Sequence, residues 1–289
     1  MKVTLIGLGK MGSVLASRLL LAKVDLTVFN RTKEKMQPVI KAGAKGADSL
    51  KDAVKEADIV VTCLLDDQAV LATADEFLPF LPPGSIHIGT STILPETSKE
   101  LFELHQNKKS IYIAGNVLGV PKAAEKGALT SFVAGDADAI EKCKFIFQAY
   151  SAKILNVGSK PYEANVIKIC MNYLLVSTIE TMGELYTFAE KSEVDINIVN
   201  TLFHSVFAHP AFQLYVDKIK DRTFDDVNFE LTGGFKDLSL FQQAFADARV
   251  VPDIANVIKD KFIIALAHHM EKKDWSAITE ITRKLANLE

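Results

Sequence analysis

A short apolar run, Lys2-Val3-Thr4-Leu5-Ile6, ends directly in Gly7-Leu8-Gly9-Lys10-Met11-Gly12. A helical pattern follows from Ser13 to Leu21, and a second strand-like run spans Asp25 to Phe29. With 15 glycines in the chain, a G-x-G-x-x-G spacing alone is a weak signal. Its place between a strand and a helix makes it a specific one. The first glycine permits a tight turn, the second lets another group approach the backbone, and the third lets the helix pack on the strand. The helix start then offers N–H groups and a partial positive charge, which suits the pyrophosphate of a dinucleotide. Gly7, Leu8, Gly9, Lys10, Met11 and Gly12 are the expected cofactor turn.

The residues after the second strand bear on which dinucleotide is held. NAD sites usually place an acid here, where it accepts from the adenosine ribose 2′-OH. This chain has Asn30, Arg31 and Thr32 instead. A carboxylate repels a 2′-phosphate and an amide does not. Arg31 can pair with that phosphate in bidentate fashion, and Thr32 can donate from its hydroxyl. The plainer alternative makes Arg31 a solvated residue ahead of a helix. NADP is the expected cofactor, with NAD as a second option.

The chain has 289 residues, 48% of them hydrophobic and 24% charged, with net charge −3. That is enough apolar material for two cores, and the mild acidity gives no reason to expect nucleic acid or an anionic membrane as partner. Cys63, Cys143 and Cys170 sit in apolar patterns and read as buried, reduced thiols. No His/Cys cluster has metal-ligand spacing, so no metal is expected. A strand beginning at residue 2 leaves no room for a leader, and cytoplasm is the expected location.

Through Val157, β-branched runs alternate with amphipathic helices, which predicts a parallel sheet wrapped by helices. The expected strands are Val3–Ile6, Leu26–Phe29, Ile59–Leu64, Ser85–Ile88, Ile111–Ala114, Leu129–Ala134 and Ile154–Val157. Helices are expected at 33–42, 95–106 and 137–148, with Pro95 in a first turn and Asp136 as a cap. After Lys160-Pro161, only helical periodicity remains. The predicted architecture is α/β, a dinucleotide-binding Rossmann domain over 1–159 and an all-α substrate and dimerisation domain over 160–289. One long helix, Tyr162 to Lys191, joins them. Its apolar residues surround it almost completely, which predicts burial between domains or subunits and a homodimer or higher oligomer. Shorter helices follow at 196–207, 210–219, 236–249, 253–271 and 276–288, the last capped by Asp274.

Lys168 stands inside the long helix among Ile167, Ile169 and Cys170, with Asn172 one turn on. Burying a lysine is costly unless its pKa falls or it meets a partner, which is how catalytic lysines arise. The alternative is a lysine that snorkels to solvent, with Asn172 binding a neighbouring loop. His204 and His209 among phenylalanines read as packing, Asp66-Asp67 as a helix cap, and Glu180 with Glu184 as a solvated stripe or a pair across a dimer.

These separated segments together resemble the β-hydroxyacid dehydrogenases, the group that holds 3-hydroxyisobutyrate dehydrogenases and glyoxylate/succinic semialdehyde reductases. The glycine turn includes the family's Met-Gly, and Asn30-Arg31-Thr32 resembles the version in NADP-using members. Thr90-Ser91-Thr92-Ile93-Leu94-Pro95 is similar to a segment lying by nicotinamide and substrate. Lys168-Ile169-Cys170-Met171-Asn172 resembles the segment whose Lys is the acid/base and whose Asn orients the substrate. Phe235-Lys236-Asp237-Leu238 resembles one whose Lys reaches cofactor and substrate, and Asp274-Trp275-Ser276-Ala277 the closing motif. The resemblance implies Lys168 and Asn172 as the catalytic pair. It implies Thr92, Leu118, Gly119, Val120 and Lys236 at the substrate. Leu64, Leu65, Thr92 and Lys236 join the glycine turn and Asn30-Arg31-Thr32 at the cofactor. The implied reaction is hydride transfer between nicotinamide and a small β-hydroxyacid or semialdehyde.

Two departures stand out. Where the family places a Ser and two glycines to hold a substrate carboxylate, this chain has Leu118, Gly119 and Val120. Tyr162 and Ala164 replace glycines ahead of Lys168. The stretch 115–121 also resembles imine reductases, where Leu118 would face an apolar amine. A third reading is a catalytically idle NADP-binding scaffold, which would have no need of Lys168, Asn172 and Lys236.

Overall fold

The computed structural model describes residues 1–288. They form two compact units that divide after Ile169, inside the long helix. Residues 160–169, which composition groups with the helical part, therefore pack with the sheet.

The first unit is built on eight strands. These are β1 (Lys2–Ile6), β2 (Asp25–Phe29), β3 (Lys45–Gly46), β4 (Ile59–Thr62), β5 (Ile86–Gly89), β6 (Ile111–Leu118), β7 (Leu129–Ala134) and β8 (Ser151–Gly158). Their order is β3-β2-β1-β4-β5-β6-β7-β8. β4 is buried along its whole length, as a strand covered by helices on both faces must be. One covering layer centres on Leu15, Ala16 and Leu19 of the first helix. The opposite layer centres on Leu50, Val70, Phe77 and Leu101.

The expectation of a parallel sheet needs one correction. β6 and β7 pair antiparallel, with Ala114 opposite Ala134 and Leu118 opposite Thr130. Only residues 119–128 join them, and a parallel crossover needs a dozen or more. β6 also runs on to Leu118, past its last partner in β5 at Ala114.

Several helix starts follow from local chemistry. Asp66 Oδ1 accepts from Ala69 N at 2.8 Å, and Asp136 Oδ1 accepts from Ala139 N at 2.8 Å. Pro95 opens the Pro95–Asn107 helix as expected. The helix predicted over 33–42 is a 3-10 turn, Lys33–Met36, followed by Gln37–Lys41, with Pro38 in its first turn. The one predicted over 137–148 breaks at Cys143 into Ala137–Lys142 and Lys144–Tyr150. The break turns Ile146, Phe147 and Tyr150 into the core.

The second unit is helical, comprising the rest of Tyr162–Lys191, then Ile196–Val206, Pro210–Lys220, Leu231–Asp247 and Asp253–Ala267. A 3-10 turn, Trp275–Ile278, leads into Thr279–Leu285. The helix expected from Lys236 starts earlier because Gly234 is a packing position, not a break: a Cβ there would lie 2.9 Å from Trp275 Cβ. Asp274 is wholly buried and organises this unit. It accepts from Ser276 N (3.1 Å), Ser276 Oγ (2.7 Å), Asn228 N (2.9 Å) and Lys218 Nζ (3.3 Å).

Other expectations change in three dimensions. Cys170 is exposed, Cys63 half-buried and Cys143 buried. His204 Nε2 lies 2.7 Å from Asp217 Oδ1, and His209 caps the next helix through Ala211 N. Glu180 is neither solvated nor set for a partner subunit. It is buried against Thr282 Oγ1 at 2.9 Å and Lys261 Nζ at 3.4 Å, and burial raises its carboxyl pKa. The long helix is not sealed within the chain, since Leu174, Leu185 and Phe188 remain exposed.

Candidate active site

At the glycine turn Gly7 and Gly12 each have a separate steric reason, and Gly9 has none within the protein. Gly7 has φ +99, and its N–H donates to Phe29 O at 3.0 Å, tying the turn to β2. A Cβ on Gly7 would collide with the Cys63 carbonyl, and one on Gly12 with the Gly7 carbonyl. A Cβ on Gly9 would meet nothing within 4 Å, so the turn is open at its middle. The Lys10–Leu21 helix starts there with neither a side-chain cap nor an acid in its first turn. An uncapped helix start behind an open glycine fits a pyrophosphate.

Asn30 has a role that spacing does not reveal. Its Oδ1 accepts from Leu8 N at 2.8 Å, and its Nδ2 donates to Thr32 O at 2.8 Å. The amide is a strut between the glycine turn and the loop after β2. It holds the exposed Arg31 and Thr32 beside that turn.

The loops after β4 and β5 meet the end of β6 at the same carboxyl edge of the sheet. Leu64 N donates to Ser91 Oγ at 2.8 Å, Leu94 N to Asp67 Oδ1 at 2.8 Å, and Asn116 Nδ2 to Ser91 O at 2.8 Å. Leu64 and Thr92 are half-buried and Leu65 is exposed. Lys168 comes back to this edge, where its Nζ donates to Val117 O at 2.7 Å. The bond falls where β6 overruns β5. Leu118 follows at once, half-buried, and Gly119 with φ +131 turns the chain into the short Pro121–Glu125 helix. The first unit thus gathers the glycine turn, Arg31, Thr92, Leu118 and Lys168 along one edge, where open α/β sheets bind their ligands.

The second unit contributes a separate cluster. Asn172, buried on the long helix, donates from Nδ2 to Asp237 Oδ2 at 3.0 Å. The other oxygen of Asp237 takes Lys236 Nζ at 3.0 Å. Asp237 is the residue that sequence reasoning passed over. It was visible only as the neighbour of Lys236, although its side chain is 4% exposed and Lys236 is 24% exposed. Among the described residues, no group of three or more His, Cys, Asp or Glu could hold a metal. No described helix is long and apolar enough to cross a membrane.

The family model for the NAD-binding domain of 6-phosphogluconate dehydrogenase matches residues 2–158. That for the NAD-binding region of NADP-dependent 3-hydroxyisobutyrate dehydrogenase matches residues 163–282. The chain belongs to the β-hydroxyacid dehydrogenase family. It is an NAD(P)-dependent oxidoreductase. An oxidoreductase of Bacillus subtilis, YfjR, itself uncharacterised, is 34% identical over 281 residues, covering 96% of this chain and 98% of its own. The solved 3-hydroxyisobutyrate dehydrogenase of Mycobacterium tuberculosis with L-serine has TM-score 0.87 at 22% identity, covering 98% of this chain and 99% of that one. A Pseudomonas imine reductase shares the fold at TM-score 0.65 and 17% identity, over 96% and 98% of the two chains.

Proposed function

We propose that this family member prefers NADP and interconverts a small alcohol with its carbonyl, in the size range of the family's β-hydroxyacids and semialdehydes. Lys168 serves as general acid/base. The observation that carries this reading is the bond from Lys168 Nζ to Val117 O, which holds an amine at the sheet edge where the dinucleotide turn opens.

Bound NADP(H) supplies or accepts the hydride at nicotinamide C4. In reduction, the Lys168 ammonium gives a proton to the nascent alkoxide; in oxidation, the neutral amine takes the hydroxyl proton. The Val117 carbonyl accepts one N–H and so restrains the amine without neutralising it. Asn172 orients the substrate oxygen. A carboxylate can only accept, so Asp237 fixes Nδ2 as the atom facing it and leaves Oδ1 as an acceptor for a substrate hydroxyl. Lys236, paired with the same carboxylate, joins the substrate and cofactor set, and Thr92 with the 118–120 backbone supports the far end of the substrate. Arg31 and Thr32 take the 2′-phosphate.

Lys168→Ala tests the assignment. General acid/base assistance is worth roughly 10²–10⁴-fold, so kcat should fall at least about 100-fold with NADPH binding retained. Near-normal turnover in that variant removes the mechanism.

A second reading, an imine reductase, draws on the apolar loop Leu118-Gly119-Val120-Pro121. NADPH oxidation with a semialdehyde against a cyclic imine separates the two. Exposed Leu174, Leu185, Phe188, Ile198, Leu202 and Val206 in the helical unit support a homodimer, which sedimentation equilibrium tests.

A further inference from the structure

We infer that the end of the substrate lying against Leu118 is uncharged and apolar, so this enzyme prefers aliphatic aldehydes or ketones over carbonyl compounds bearing a carboxylate. The inference rests on the reading of Lys168 as the proton donor and names the substrate class of that site.

Its basis is the short covalent link between the amine's anchor and the next side chain. Lys168 Nζ lies 2.7 Å from the Val117 carbonyl oxygen. The planar peptide that follows puts Leu118 Cα within about 5.5 Å of the amine. Leu118 is half-buried, and Val117, pointing to the opposite face of β6, is buried in the core. Residue 118 therefore forms a wall within reach of a molecule bound at the amine.

That wall and the turn beyond it offer no charge. Leu118, Gly119, Val120 and Pro121 carry no polar side-chain group and Pro121 has no N–H, so beyond the uncharged N–H dipoles of 118–120 this stretch supplies no counter-ion. The turn cannot easily relax to admit one. Gly119 has φ +131, and a Cβ there would lie 2.6 Å from Leu129 Cδ2. The helix behind it spans only Pro121–Glu125, too short to supply much dipole. Lys122, the nearest cation along the chain, is exposed, where water screens its charge. Thr92 offers a hydroxyl and no charge.

In the helical unit, the ammonium of Lys236 is offset by Asp237 at 3.0 Å. Lys168 itself is committed to the reacting oxygen. A carboxylate pressed against Leu118 would lose water without a counter-charge to offset that loss. An alkyl group there gains instead from burial.

A matched pair of aldehydes tests this. Succinic semialdehyde and 4-methylpentanal share one skeleton, with a carboxylate in the first and an isopropyl group in the second. With NADPH, kcat/KM for 4-methylpentanal should exceed that for succinic semialdehyde by about 10-fold or more. Leu118→Ser should move the ratio at least about 10-fold toward succinic semialdehyde, with NADPH affinity unchanged by fluorescence titration. A wild-type preference for succinic semialdehyde, or a ratio that Leu118→Ser does not move, overturns the inference while leaving Lys168 in place. Turnover of neither aldehyde, or turnover that survives Lys168→Ala, overturns the inference together with the reading beneath it.

Discussion

Asp237 accepts a hydrogen bond from the Asn172 amide at 3.0 Å, across 65 residues of sequence. The bond decides which end of that amide is free. It also couples Asn172 to Lys236, which binds the other carboxylate oxygen. Asp237→Asn keeps the shape but removes the obligate acceptor, so the Asn172 amide can flip. Hydrogen bonds to charged groups are worth about 1.5–3 kcal/mol. The expected result is a kcat about 10-fold lower or more, with NADPH affinity within about twofold, and partial recovery in Asp237→Glu. Steady-state kinetics and cofactor titration check this. Equal losses in both variants, with NADPH binding gone, would show that Asp237 only supports the fold.

Arg31 stands exposed beside the Asn30 strut and bears on cofactor choice. Arg31→Ala should raise KM for NADPH about 10-fold or more and change KM for NADH much less, because NADH has no 2′-phosphate. The same rise with both cofactors would remove the NADP assignment.

The sheet unit carries an acid-sensitive element unrelated to catalysis. Thr62 Oγ1, His87 Nε2, His87 Nδ1, His105 Nε2, His105 Nδ1 and Ser110 Oγ form a buried chain with spacings of 2.9, 2.9 and 2.8 Å. Burial lowers both imidazoles, His87 well below its ordinary value of 6.5 and His105 to about 4. The unfolded chain therefore binds protons first as pH falls. The stability from the neutral His105 ring is whole above about pH 6.5 and is lost between there and about pH 4. At pH 5 the loss through His105 is on the order of 2 kcal/mol. Urea midpoints at pH 7.5 and 5 should differ accordingly, and His105→Gln should flatten that dependence. An unchanged slope in His105→Gln would assign the acid sensitivity to other groups.

Asp274 anchors the helical unit through Lys218, Ser276 and Asn228. Lys218 is 3% exposed, so Asp274→Ala leaves an ammonium buried without that carboxylate. Breaking a buried pair in this way costs about 3–5 kcal/mol. Thermal unfolding should show a clear loss of stability, larger than for Asp274→Leu paired with Lys218→Met, where both charges leave together. A loss under about 1 kcal/mol would deny Asp274 its place at the centre of that unit.

Features set by near neighbours along the chain were readable in advance. Gly12 packs on the Gly7 carbonyl five residues back, so the spacing of the glycines announces the turn, although Gly7 itself is held against Cys63. Asp66, Asp136 and Asp274 cap from two or three residues away, and the long helix has the predicted bounds, Tyr162–Lys191. Tertiary structure decided the rest. Pairing Lys168 with Val117 spans 51 residues, and pairing Asn172 with Asp237 spans 65. Glu180 looked like a surface charge until Lys261 and Thr282 covered it. Capping and turn geometry are short-range steric and electrostatic effects, which a few adjacent side chains specify. Which carbonyl meets a lysine, and which carboxylate meets an amide, depends on how whole helices and strands pack, and no local run of residues encodes that.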